Sequence, residues 1–203
     1  MSRLAQIGWR RGAVGLVIGL LAWVVIRLSA EDPEIALMLG EPWEDMRERS
    51  SASIGPAISG AYWGTMPKSD ARLRFIDPQY GFVSPTARFF MIRYNDMRVA
   101  DLSLSPQIEP LLLEDTFKVV LDLQEQWRQG GWIPIRVKYD PPLADTPEWR
   151  TRLRNVNLGG TSYWQAGNKY QLMMVVNRFK DYRNPTQERY LITLQLAEPW
   201  VQP

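Results

Sequence analysis

Residues 161–179 read Thr161-Ser-Tyr-Trp-Gln-Ala166, then Gly167-Asn168, then Lys169-Tyr-Gln-Leu-Met-Met-Val-Val-Asn-Arg-Phe179. Two β-prone runs flank a Gly-Asn turn, which is the clearest hairpin signal in the chain. In the second run Tyr170, Leu172, Met174 and Val176 alternate with Gln171, Met173, Val175 and Asn177. Both faces stay apolar through its middle, which predicts a central strand covered on both sides. After a loop over 180–187, Tyr190, Ile192, Leu194 and Leu196 alternate with Arg189, Thr193 and Gln195, the pattern of a strand buried on one face. Residues 161–196 therefore supply a hairpin and a further amphipathic strand, with 197–203 as an exposed tail.

Upstream, residues 110–129 carry Leu113, Phe117, Val120, Leu121 and Trp127 at helical spacing, with Glu114 and Asp115 early and Gly130-Gly131 at the end. This predicts one long amphipathic helix whose stripe is core. Residues 88–94 and 97–104 read as a hairpin around Asn95-Asp96, and the apolar parity changes between Val99 and Leu102, which points to a bulge or to a shift of the read register. Short strands are expected over 61–65, 72–76 and 132–139, the last placed at a sheet edge by Pro134. Thr146-Pro147-Glu148 starts a short helix through Arg154. The order predicts an α+β domain over 61–203: a mostly antiparallel sheet with the long helix and short helices packed on it.

Preceding it, Asp32-Pro33-Glu34 followed by Ile35, Leu37, Met38 and Leu39 reads as a helix stopped by Gly40, and Pro42 opens a second over 41–49. With the small residues of 50–60, a linker or ordered loop, this makes 31–60 an acidic helical stalk and linker. Residues 12–26 are uncharged, and with Arg27 to Ala30 they form a 12–30 transmembrane anchor, or an uncleaved signal-anchor, behind a 1–11 cytoplasmic tail. A cleaved signal peptide is the rival reading. Gly15 and Gly19 share one helix face and suit a homodimer contact. Arg3, Arg10 and Arg11 precede the span, whereas seven acids against two arginines follow it within 31–50. The positive-inside rule puts the N-terminus in the cytoplasm and the C-terminal domain on the periplasmic, extracytoplasmic side of the inner membrane.

Composition narrows the chemistry. Four of the 24 basic residues lie in or before the anchor, leaving 20 against 22 acids, so the exported part is near −2 and carries no footprint for nucleic acid. The chain has no Cys and no His. Thiolate and imidazole nucleophiles, bases and metal ligands, disulfides and a lipidated cysteine are excluded. No cofactor or metal site is expected. Asp140 and Asp145 beside the Pro141-Pro142 loop are the available acid–base pair for a carboxylate-dependent glycan hydrolase. Seventeen Trp and Tyr residues are more than a small core hides easily. Trp63, Tyr80, Phe82, Tyr163, Trp164 and Tyr182 lie in or beside turns, and Arg183 adjoins Tyr182; aromatic and Arg side chains dominate binding hot spots. These seven are the candidate partner-binding residues. The leading expectation is a non-enzymatic, membrane-anchored domain that binds another protein, as an immunity-type inhibitor of a toxin or an envelope-assembly subunit. A cell-wall glycan-binding module is the alternative.

Overall fold

The computed structural model describes residues 32–182 and 185–202. The expected anchor with Gly15 and Gly19, the cytoplasmic tail and Arg183 lie outside them. No helix among the described residues is long and apolar enough to cross a membrane.

The chain is α+β. Its strands and helices run β1 (Glu34–Leu37), α1 (Trp43–Arg49), β2 (Tyr62–Thr65), β3 (Arg72–Phe75), β4 (Phe82–Val83), β5 (Phe90–Asn95), β6 (Arg98–Leu104), α2 (Leu113–Gln129), β7 (Ile133–Ile135), α3 (Pro147–Arg154), β8 (Gly159–Ala166), β9 (Tyr170–Phe179) and β10 (Arg189–Ala197). Seven strands form an antiparallel sheet in the order β2-β5-β6-β10-β9-β8-β7, and a second sheet has the order β1-β3-β4. The hairpin read from 161–179 is β8–β9, with Ala166 opposite Tyr170 and Gly167 at φ +57°.

Alternation places Trp164, Leu172, Met174, Val176, Ile192, Leu194, Leu196, Leu102 and Ile92 on one buried face. The Trp127 ring of α2 lies 5.5 Å from that of Trp164, so helix and sheet meet there. The small sheet joins the same core through Phe75, whose ring meets Tyr170 edge-on at 5.1 Å. β9 is not covered on both sides. Gln171 is buried, but Met173 and Val175 on its second face remain half-buried.

The expected stalk helix is corrected. Residues 34–37 are not a stalk helix, and from Pro33 onward the expected stalk belongs to the domain. Ile35, Ala36 and Leu37 are wholly buried in β1, which pairs in parallel with β3, and Glu34 bridges Arg72 and Arg74 at 2.8 and 2.6 Å. Four apolar-rich residues suit a helix turn or a buried strand equally, and the distant partner decides. Of the two readings of 50–60, residues 50–52 take the ordered loop: Ser50 and Ser51 hydroxyls accept from the Ala36 and Glu34 amides, sealing the open edge of β1. The tail is exposed as expected, at Glu198, Pro199, Trp200 and Gln202, and it is tied to β9. Gln171 Oε1 accepts from the Trp200 and Val201 amides, and its Nε2 donates to the Val201 carbonyl.

The β5–β6 turn falls one residue later than read, at Asp96 and Met97 (φ +44° and +67°). The expected bulge is present, since Arg93 pairs with Asp101 and Tyr94 with Val99. Pro134 does sit on an edge strand, and the Thr146 hydroxyl caps α3 by accepting from the Trp149 amide.

Candidate partner-binding site

The fold separates the seven candidate residues. Trp164 is wholly buried under Trp127, and Tyr80 and Phe82 pack around Trp132 in the core. Trp63 stacks on buried Tyr94 at 6.2 Å. Trp164, Tyr80 and Phe82 are core residues and Trp63 is half-buried against the core, and strand parity explains the case of Trp164: counted back from the Ala166–Tyr170 pair, it falls in phase with Leu172. Tyr163 points to the opposite face, between the Arg136 guanidinium at 5.4 Å and Trp200 at 6.4 Å. Tyr182, 91% exposed, is the only one of the described six that stands clear of the body.

Around Tyr182 the surface is concave. Two adjoining cavities of about 250 and 430 Å³ share Phe179, Lys180, Asp181 and Tyr182 as lining. The first is completed by Val156, Arg178 and Pro185, the second by Glu109 and Pro110. β9 delivers Phe179 at its last position, and the segment that returns to β10 carries Tyr182. Val156, in the turn after α3, and Phe179, at the last position of β9, are each 37% exposed.

Charge sharpens the site. Arg178 donates to the Arg154 carbonyl at 2.7 Å, and neither it nor Lys180 has a carboxylate partner among the described residues. Several other cations are paired: Arg150 with Glu114 and Asp145, Arg88 with Glu109, and Arg154 with Glu188. Tyr190 beneath the loop donates to Glu188, and burial, then that contact, pushes its phenol far above the ordinary range. The site therefore offers an aromatic, an apolar floor and two cations, with Asp181 and Glu109 also in its lining. Sequence reading singles out Tyr182 from its loop position, and the structure places Phe179, Val156, Arg178 and Lys180 around the same cavity, none of them singled out by the sequence. The Arg-Phe-Lys run ending β9 was the available signal.

The acid–base pair reads differently in three dimensions. Arg136 Nε donates to Asp140 at 2.8 Å, and Arg150 brackets Asp145. The Arg150 hydrogen bonds hold the Asp145 carboxyl below its usual value. Glu34, Asp77, Glu114 and Glu148 are also displaced downward. A glycosidase general acid needs the opposite displacement. Among the described residues no three acidic side chains gather as a cation site.

No family model, curated relative or solved structure matches the chain.

Proposed function

We propose that the chain is a single-pass inner-membrane protein whose extracytoplasmic domain binds another protein at the β9–β10 end of its sheet. The partner is either a toxin that the domain neutralises or a subunit of an envelope assembly. The reading rests on one observation: Tyr182 stands 91% exposed above Phe179 and Val156, with Arg178 and Lys180 lacking carboxylate partners among the described residues. An aromatic anchor beside an apolar floor has the character of a hot spot. Two unspent cations favour a partner that presents an acidic side chain next to an apolar knob. The arginine-rich N-terminal flank and the acids after residue 30 support the membrane orientation.

Site-specific photo-crosslinking in cells tests it. A crosslinker at position 182 captures one defined protein, a crosslinker at Tyr62 on the opposite end of the sheet does not, and Lys180→Glu lowers capture at 182 about tenfold or more. Equal capture from both positions, or capture unaffected by Lys180→Glu, overturns the assignment.

A further inference from the structure

A different concavity lies where β7 stops. β7 pairs only with Tyr163, Trp164 and Gln165, so residues 159–162 of β8 form the sheet edge beyond it. The turn over 136–140 and α3 fill the side of that edge. Arg136 adopts φ +57°, its carbonyl accepts from the Tyr139 and Asp140 amides, and its Nε donates to Asp140 Oδ2. A non-glycine residue held in the left-handed region is strain that the surroundings must enforce, and such strain gathers at functional sites. Here it presents Tyr139, 72% exposed, at the mouth of a cavity of about 260 Å³ lined by Lys138, Tyr139, Asp140, Trp149, Arg152 and Thr161.

The lining is chemically specific. Lys138 Nζ lies 5.4 Å from the Tyr139 ring and Arg152 Cζ 5.8 Å from that of Trp149. Neither cation has a carboxylate partner among the described residues, unlike Arg72, Arg74 and Arg150. Arg152 spends Nε on the Gly159 carbonyl at 2.6 Å, which leaves its two terminal nitrogens for an incoming acid. Asp140 spends Oδ2 on Arg136, and Oδ1 takes no hydrogen bond among the described residues. The volume is below the 300–1,000 Å³ usual for drug-sized ligands and suits one ring.

We propose that this cavity binds a single acidic sugar, a pyranose carrying a carboxylate. Arg152 and Lys138 take the carboxylate, the Tyr139 ring receives the C–H face of the sugar, and Asp140 Oδ1 with the Thr161 hydroxyl takes ring hydroxyls. An aromatic acid satisfies the cations and the ring but leaves Asp140 and Thr161 unused, so the pattern favours the sugar. The site shares no lining residue with the cavities around Tyr182 and stands or falls independently of them.

The test is titration of D-glucuronate into the full-length chain, followed by calorimetry or ligand-observed NMR, with D-glucose and benzoate as comparators. Glucuronate binds with a millimolar Kd that weakens with added salt, and each comparator binds at least about fivefold more weakly. Lys138→Met and Tyr139→Ala, both exposed side chains, each lower glucuronate affinity about fivefold or more with an unchanged circular dichroism spectrum. No glucuronate binding at tens of millimolar overturns the proposal. Glucose binding equally well removes the role of the cations, and benzoate binding equally well removes the sugar; either result overturns it, as does unchanged affinity in both variants.

Discussion

Replacing Tyr170 by Phe deletes one oxygen from a buried junction between the two sheets. The Tyr170 hydroxyl donates to Asp77 Oδ2 at 3.0 Å, while Asp77 Oδ1 accepts from the Gln79 and Tyr80 amides at 2.9 Å each. Lys169 Nζ lies 3.8 Å from Oδ2, and the Asp77 side chain is only 3% exposed. A hydrogen bond to a charged group contributes about 1.5–3 kcal/mol, so Tyr170→Phe costs about 2 kcal/mol. At about 2–4 °C per kcal/mol for a domain of this size, Tm falls about 4–8 °C. Asp77→Ala costs more, about 3–5 kcal/mol, because it orphans the Tyr170 hydroxyl and the two turn amides together. The pH dependence has a definite sign. Burial alone raises the Asp77 pKa, but the Tyr80 and Gln79 amides, the Tyr170 hydroxyl and Lys169 outweigh it, and the net displacement is downward. Stability from ionised Asp77 is therefore complete above its unfolded value of about 3.9 and is lost as pH falls through the lower folded value. Urea unfolding of the full-length chain, followed by tryptophan emission at pH 7 and pH 3, measures both effects. A Tyr170→Phe variant within about 0.5 kcal/mol of wild type at pH 7, or an Asp77→Ala deficit that grows towards pH 3, refutes the reasoning.

Two other perturbations separate rigid from adaptable contacts. A Cβ at Gly81 meets the carbonyl oxygens of Asp77 and Phe75, both at 2.9 Å, whereas one at Gly64 meets the end of the flexible Met91 side chain at 2.8 Å. Gly81→Ala therefore destabilises by about 1–3 kcal/mol in thermal denaturation, and Gly64→Ala by less. Gln171→Ala removes three hydrogen bonds to the C-terminal segment, so hydrogen exchange at the Trp200 and Val201 amides accelerates while the amides of β9 and β10 stay protected.

Much of the sheet was legible because its information is local. The 161–179 hairpin, the one-sided alternation of β10 and the stripe of α2 each follow from a period that the chain writes into itself. The bulge near Ala100 was legible for the same reason, as a break in parity. The candidate site was less so. Position beside a turn suggested exposure for Trp164, Tyr80 and Phe82, but turn proximity says nothing about which face a side chain takes. Counting register from the Gly167 turn assigns Trp164 to the core; nothing local assigns Tyr80 or Phe82, whose burial depends on Trp132 arriving from the far end of α2.

Thiol and imidazole chemistry was excluded by the sequence alone, which also carried the charge step around the N-terminal segment and the α+β class of the domain. Tertiary structure alone decided that Glu34–Leu37 is a strand, because four apolar-rich residues take the conformation of whatever partner they bury against, here β3. It alone decided that Tyr182 is exposed with Phe179 beneath it, and that Lys138 and Arg152 share a cavity lacking an acid of their own beyond Asp140, which is held by Arg136. Periodicity is fixed within a few residues, whereas burial and charge pairing are fixed by neighbours that the fold brings from tens of residues away.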